Sequence, residues 1–345
     1  MELWTHLKDT KKPIVLYGMG NGADRIIDIL TEMGVAVSGV FASDGFVRHQ
    51  QFRGFTVCSY SELKEKFNDM IVLLAFGTQL PAVLANIKKI ALEQELYVPD
   101  VPVVGENLFT EQFAKEHRKE LERVFELLSD DQSKHVFKNI IKGKLTGKME
   151  YLVSAESAPG EVWDLLDIKA GSSYMDLGAF VGDTILEFIE KNPCFGKIIA
   201  VEPDSKNYRK CVGNLQKFSN IQILQGCIDE KPGNRRFLMD GGRKSAALSS
   251  GGILVPALTI DGILQGEEIS YIKMDVEGME RSAILGGRET IAKWKPKMMI
   301  SAYHRTEDLF DLPLLIEKIA SGSKIYLRHF PYLPAWDTNY YFNFE

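Results

Sequence analysis

The chain of 345 residues is longer than one hydrophobic core usually serves, so two domains are the first expectation. With 45% apolar and 26% charged residues it is too apolar to be disordered, and a net charge of −6 disfavours nucleic acid as a partner. Cys58, Cys194, Cys211 and Cys227 show no CxxC spacing, and the longest early apolar run, Ile14–Gly18, is far short of a signal segment or membrane span. The expectation is a reduced cytoplasmic protein with no membrane partner. The histidines show neither HExxH nor HxH spacing, so no metal ligands are assigned.

In chain order, residues 13–98 alternate strands with helices, the pattern of a parallel sheet wrapped by helices. Pro13–Tyr17 reads as a strand, Gly18–Gly22 as a turn and Ala23–Met33 as a helix with Ile26, Ile27 and Leu30 on one face. Val35–Phe41 and Met70–Phe76 read as further strands. The turn fits G-x-G-x-x-G/A, with Gly18, Gly20 and Gly22 placed to face a pyrophosphate and Asp44 to take a ribose hydroxyl. The same glycines equally suit a tight turn with close helix packing, and both readings stay open. Pro99 and Pro102 then interrupt helix and sheet alike, which suggests a first domain over 1–105.

Residues 106–149 read as a helical connector. Leu121, Val124, Phe125 and Leu128 form one stripe, and Ser129 with Gln132 reads as a capping box before a second helix that ends at Gly143. A longer α/β series fills 150–345. The predicted fold class is therefore α/β, with two Rossmann-like doubly wound domains joined by helices.

The second glycine turn carries more chemistry. Ser173–Thr184 is a strand that ends on acidic Asp176, then a turn through Gly178, Phe180 and Gly182, then a helix capped by Asp183 or Thr184. A carboxylate inside the turn repels a pyrophosphate and suits a cationic ligand. S-adenosylmethionine has an amino group, a sulfonium and no phosphate. The next strand, Lys197–Val201, leads to Glu202, placed to accept both ribose hydroxyls, and Asp204 or Ser205 caps the helix that follows. A third strand, Ile221–Leu224, leads to Asp229, which would accept from an adenine amino group. Asp176 alone has a second reading, as an inward helix-capping carboxylate. Three acidic groups near successive strand ends weigh against it.

The run Asp176 to Thr184, then Val201-Glu202-Pro203-Asp204, then Ile272-Lys273-Met274-Asp275-Val276-Glu277-Gly278-Met279-Glu280 resembles the FkbM-type S-adenosylmethionine-dependent methyltransferases. The resemblance covers roughly 150–345, and its most specific element is the Lys-x-Asp-x-Glu-Gly-x-Glu run. It implies a class I methyltransferase fold with an antiparallel final strand, and methylation of hydroxyls on sugars or polyketide-like metabolites. Phe180 stands where the general methyltransferase motif has its middle glycine. Residues 13–98 resemble small nucleotide-sugar-binding Rossmann domains found fused to sugar-modifying enzymes.

Methyl transfer to an alcohol needs alignment and a general base at the C-terminal sheet edge. Asp275 and Glu277 lie at one strand end and His304 beyond another, which makes them the catalytic candidates, with His304 as base or substrate anchor. Lys273 and Asp275 share one side of their strand as an ion pair, and Glu280 caps a helix. Tyr303, Arg328 and His329 are candidates for holding the acceptor. Tyr151 either folds over the cofactor or belongs to the core. Gly241–Gly242 and Ser249–Gly252, flanking Arg243–Ser245, read as loops over the active face. The expected partner is a small hydroxyl acceptor. An alternative function is a nucleotide-sugar-binding protein or a dinucleotide-dependent oxidoreductase working at Gly18–Ala23. The acceptor, help from a divalent metal at Asp275, and a homo-oligomeric state are left open.

Overall fold

A computed structural model describes residues 1–158, 160–237, 247–248 and 252–344, without the side chains of residues 44, 247 and 248. Short apolar runs form its strands. In the first sheet these are β1 (Ile14–Tyr17), β2 (Val37–Phe41), β3 (Ile71–Leu74) and β4 (Glu95–Tyr97), all parallel, in the order β2-β1-β3-β4. β1 and β3 are buried along their whole length, as strands covered on both faces must be. Helix α1 (Asn21–Glu32) follows β1 and turns Ile26, Ile27 and Leu30 onto the sheet.

The connector is three helices, Glu111–Glu116, Arg118–Leu127 and α2 (Asp131–Thr146). Two expectations are corrected here. The cap of α2 is Asp130, whose carboxylate accepts the Ser133 N–H at 2.7 Å, because Ser129 is engaged elsewhere: its hydroxyl accepts the Ile325 N–H at 2.8 Å. The helix also passes through Gly143 and stops at left-handed Gly147, since Gly143 serves close packing against Leu152.

The second sheet has seven strands: β5 (Tyr174–Leu177), β6 (Ile198–Glu202), β7 (Ile221–Gln225), β8 (Tyr271–Met274), β9 (Lys297–Ser301), β10 (Lys324–His329) and β11 (Thr338–Asn343). Their order is β10-β11-β9-β8-β5-β6-β7, and β11 runs antiparallel to both neighbours. Strand order reverses between β5 and β8, which pair in parallel, so a crevice opens at their C-terminal ends. This is a Rossmann-like methyltransferase sheet with the expected antiparallel final strand.

The connector is packed rather than loose. One apolar cluster runs from Val15 and Val72 of the first sheet through Phe113, Val124 and Phe137 to Ile272 and Ile300 of the second. Edge strand β10 is covered by α2, with the Ser133 hydroxyl accepting the Leu327 N–H at 3.0 Å. Backbone bonds between Thr78 and Leu333, 2.8 and 3.0 Å, join the first sheet to the loop between β10 and β11. These ties set the two C-terminal sheet edges face to face. No helix among the described residues is long and apolar enough to cross a membrane.

Candidate active site

A cavity of about 780 Å³ lies between the two sheet edges. The first half contributes Met19–Gly22, Ala75–Gly77 and Gln79 to its walls. The second contributes Gly178, Phe180, Asp183, Thr184 and Glu202, then Lys273, Asp275–Glu277, Tyr303 and His304. Both glycine turns therefore face one space.

The second turn is built on close backbone approach. Gly178 has φ +84°, and a Cβ there would lie 1.9 Å from the Asp275 carbonyl oxygen, so only glycine lets the β5 and β8 exits meet. Glu202, at the end of β6, is 5% exposed; its Oε2 accepts the Phe180 N–H at 2.8 Å and its Oε1 the Asp204 N–H at 2.9 Å. Burial pushes its carboxyl up to about 7, partly offset by those two amides. Each oxygen retains a lone pair for a ligand. Asp204 caps the next helix, Ser205–Leu215, through the Lys206 and Asn207 N–H groups.

Several sequence expectations need correction. Helix α3 (Asp183–Lys191) is preceded by left-handed Gly182 without a side-chain cap; Asp183 is already helical, and the Thr184 hydroxyl donates instead to Asp176 Oδ2 at 2.5 Å. Asp176 is fully buried beneath the cavity and holds Lys273 Nζ at 3.1 Å, so it supports the turn rather than touching a ligand. Lys273 and Asp176 are register partners on adjacent strands, which is why the lysine pairs there rather than with Asp275. Burial disfavours the Lys273 cation, yet Asp176 and Asp275 hold it charged.

Asp229 is not a wall of the cavity. It is buried against Arg235, accepts the Glu230 N–H, and is not among the residues that line the cavity. Arg328 and His329 are also removed from the site. Arg328, 1% exposed, is clamped between Asp130 of the connector and Glu161 of the second half. His329 lies beside Thr338, and burial lowers its pKa to about 4, which keeps it neutral. Tyr151 sits on the helix Met149–Ser154 under Lys142, away from the cavity.

At the floor, four expected residues do come together. Asp275 Oδ1 accepts the Tyr303 hydroxyl at 3.2 Å and lies 3.5 Å from His304 Nε2. Glu277 Oε2 lies 3.6 Å from the same nitrogen, on a residue with φ +52°, a left-handed conformation costly for glutamate. His304 Nδ1 lies 2.9 Å from Glu280 Oε1. Burial opposes an imidazolium, but Glu280, Asp275 and Glu277 overcome it and push the pKa up to about 10. A protonated ring cannot serve as the base, which corrects that reading of His304. Burial, with Glu280 as the next cause, raises neighbouring Asp308 to about 8.

In the first turn, Gly18 and Gly22 serve packing: a Cβ would meet the Phe76 ring at 2.5 Å and the Ala75 carbonyl oxygen at 2.4 Å, respectively. Gly20 has φ +126° with nothing within 4 Å of a Cβ, and it lines the cavity. The Asp44 side chain, residues 238–246 and residues 249–251 lie outside the described residues. Sequence reasoning missed Phe76, Gly77 and Trp336. Trp336 lies against Gly77, where a Cβ would meet its ring at 2.3 Å. A strand end followed by glycine, Leu74-Ala75-Phe76-Gly77, was the available signal.

Residues 176–322 match the family model of the Methyltransferase FkbM domain. The structure is similar to that of Methyltransferase FkbM from Methylobacillus flagellatus KT, with a TM-score of 0.74 at 22% identity over 96% of this chain and 90% of that one. A precorrin-6y C5,15-methyltransferase from Geobacter metallireducens GS-15 aligns with a TM-score of 0.35 at 14% identity, over 56% of this chain and 87% of that one. A search of the curated proteins finds no significant match. The family match supports a methyltransferase activity for this chain.

Proposed function

We propose that this chain, whose residues 176–322 match the Methyltransferase FkbM domain, is an S-adenosylmethionine-dependent O-methyltransferase acting on a hydroxyl of a sugar, nucleotide-sugar or polyketide-like metabolite. The observation that carries the reading is the cavity: a buried carboxylate at the end of β6 faces it from one side and the Asp275–Glu277 carboxylates face it from its floor. Glu202 would accept the ribose hydroxyls, and the apolar walls Val201, Ile228 and Phe237 would cover the adenine ring in place of the expected Asp229. Phe180 and Gly178 would bring backbone against the amino-acid end of the cofactor.

The acceptor enters from the side of the first sheet, where Gly20 leaves open space at the N-terminus of α1. Asp275 takes its proton. His304 lies behind Asp275 and Glu277, with Nε2 3.5 and 3.6 Å from their carboxylate oxygens. A positioned base contributes about 10²–10⁴-fold to such a step.

Labelled cofactor incubated with the full chain and a panel of sugars and nucleotide-sugars tests the reading. Transfer to at least one hydroxyl is expected, with Asp275→Asn lowering kcat about 10²-fold or more at little change in cofactor affinity. A failure to bind S-adenosylhomocysteine would overturn it.

A further inference from the structure

We infer, on the methyl-transfer reading above, that Trp336 and Asp337 form the acceptor subsite of the cavity and that the sugar held there carries no phosphate, being neutral or amino-bearing. Order along the sheet edge places the subsite. β11 runs antiparallel, so its first residues lie where the parallel strands end, and the Ala302 N–H donates to the Thr338 carbonyl at 2.9 Å. Trp336 and Asp337, just before β11, therefore stand beside Tyr303 and His304, which follow β9. Asp275 and Glu277 after β8 come next along the edge, then Gly178 after β5 and Glu202 at the end of β6. A cofactor whose ribose sits on Glu202 approaches Asp275 from the β6 side. For the methyl carbon to lie between donor and acceptor, the reacting hydroxyl reaches Asp275 from the β11 side, across Trp336 and Asp337.

The side chains at that end suit a sugar ring. Trp336 is half-buried and lines the cavity, and it rests on the first sheet: a Cβ at Gly77 would meet its ring at 2.3 Å, so glycine is what lets the indole lie on that wall. The Tyr332 ring backs it, with centroids 5.9 Å apart. An indole gives the apolar C–H face of a pyranose a flat partner and leaves the ring hydroxyls to polar groups. Asp337 supplies such a group. Its Oδ1 accepts the Asn339 amide at 2.8 Å, and its carboxylate faces the same cavity, with further lone pairs for sugar hydroxyls. Burial, then the charges of Asp275, Glu277, Glu280 and Asp337, raises the Tyr303 hydroxyl well above its ordinary pKa, so Asp337 and Asp275 act on one small region.

Charge decides between kinds of sugar. Asp275, Glu277 and Asp337 all line this end of the cavity. Among the described residues of its walls, the cationic side chains are Lys273, paired with Asp176, and His304, set among Asp275, Glu277 and Glu280. The N-terminus of α1 favours an anion, but it is worth about half a unit charge, and Asp24 in its first turn already answers it. Three carboxylates outweigh it. A phosphate or diphosphate here would meet net repulsion, whereas hydroxyls and an ammonium group would be held.

The full chain is incubated with labelled S-adenosylmethionine and matched acceptors: methyl hexosides, hexosamines, hexose 1-phosphates and uridine diphosphate hexoses. Transfer to a methyl hexoside or a hexosamine is expected, with kcat/KM at least about tenfold lower for the phosphate-bearing counterpart. On the accepted sugar, Trp336→Ala should raise KM about tenfold while S-adenosylhomocysteine affinity stays within twofold, and Trp336→Phe, which keeps a ring, should raise it less. Asp337→Asn should narrow the gap between phosphate-free and phosphate-bearing sugars, a change that a merely structural aspartate would not produce. Circular dichroism identifies variants that keep the fold, and Asp337→Asn carries the test if Trp336→Ala does not. Transfer confined to phosphate-bearing sugars overturns the subsite, as does an unchanged KM in folded Trp336→Ala. So does the absence of transfer to any phosphate-free sugar by a chain that binds S-adenosylhomocysteine; failure of that binding overturns the methyl-transfer reading instead.

Discussion

Glu202 makes the cofactor reading quantitative. Its carboxyl sits near pH 7 because burial penalises the charge, although the Phe180 and Asp204 N–H groups stabilise it. Moving an acid from its ordinary 4.5 to about 7 costs the ionised form roughly 3 kcal/mol. Between those values the native state holds the proton more tightly than the unfolded chain, so this group makes stability fall as pH rises from about 4.5 to 7. A ribose diol donates two hydroxyls and so favours the carboxylate. Binding should then release about half a proton at pH 7, and none at pH 9 where the group is already ionised. Calorimetric titration with S-adenosylhomocysteine in buffers of different ionisation enthalpy measures that number directly. Affinity should rise by up to about tenfold from pH 6 to pH 8. Glu202→Gln should abolish both effects while stabilising the chain at pH 8 relative to pH 5. Zero proton release at pH 7 with tight binding would refute the placement of the diol on Glu202.

Arg328→Met should destabilise the chain by about 3 kcal/mol in urea unfolding, because it strands Asp130 and Glu161, while S-adenosylhomocysteine affinity stays within twofold. Lys273→Met should cost about 3–5 kcal/mol by leaving Asp176 buried and unpaired, and the Asp176→Asn, Lys273→Met double variant should recover most of it; a double loss equal to the sum of the two single losses would show that the pair is not coupled. Gly178→Ala should lower cofactor affinity by at least about tenfold, since its Cβ would overlap the Asp275 carbonyl. Gly20→Ala should leave cofactor affinity intact and weaken the acceptor, and the reverse pattern would exchange the roles of the two turns.

What could be read from the residues was the order of strand ends. Period-two and unbroken apolar runs locate β5, β6 and β8, and a charge at the end of each such run is conspicuous because the strand itself is buried. Arg328 and His329 fit the same pattern and were misread for a physical reason. Their strand is the sheet edge, and the groups that neutralise Arg328 come from Asp130 and Glu161, far away in sequence. Asp229 failed similarly, because it is buried against Arg235 and does not line the cavity. Asp176 was recognised as special but points under the turn, toward Lys273. The shared cavity was invisible in either half alone, since it depends on contacts such as Thr78 with Leu333 and Gly77 with Trp336. The imidazolium at His304 depends on three carboxylates, one of which, Glu280, seemed to need no role beyond a helix start.

A crystal structure of the full chain with S-adenosylhomocysteine tests the central claim most directly. The account predicts both ribose hydroxyls within hydrogen-bond distance of the Glu202 carboxylate, and the sulfur directed toward Asp275. A ligand seated instead on the Gly20 turn, with Glu202 uncontacted, would contradict it.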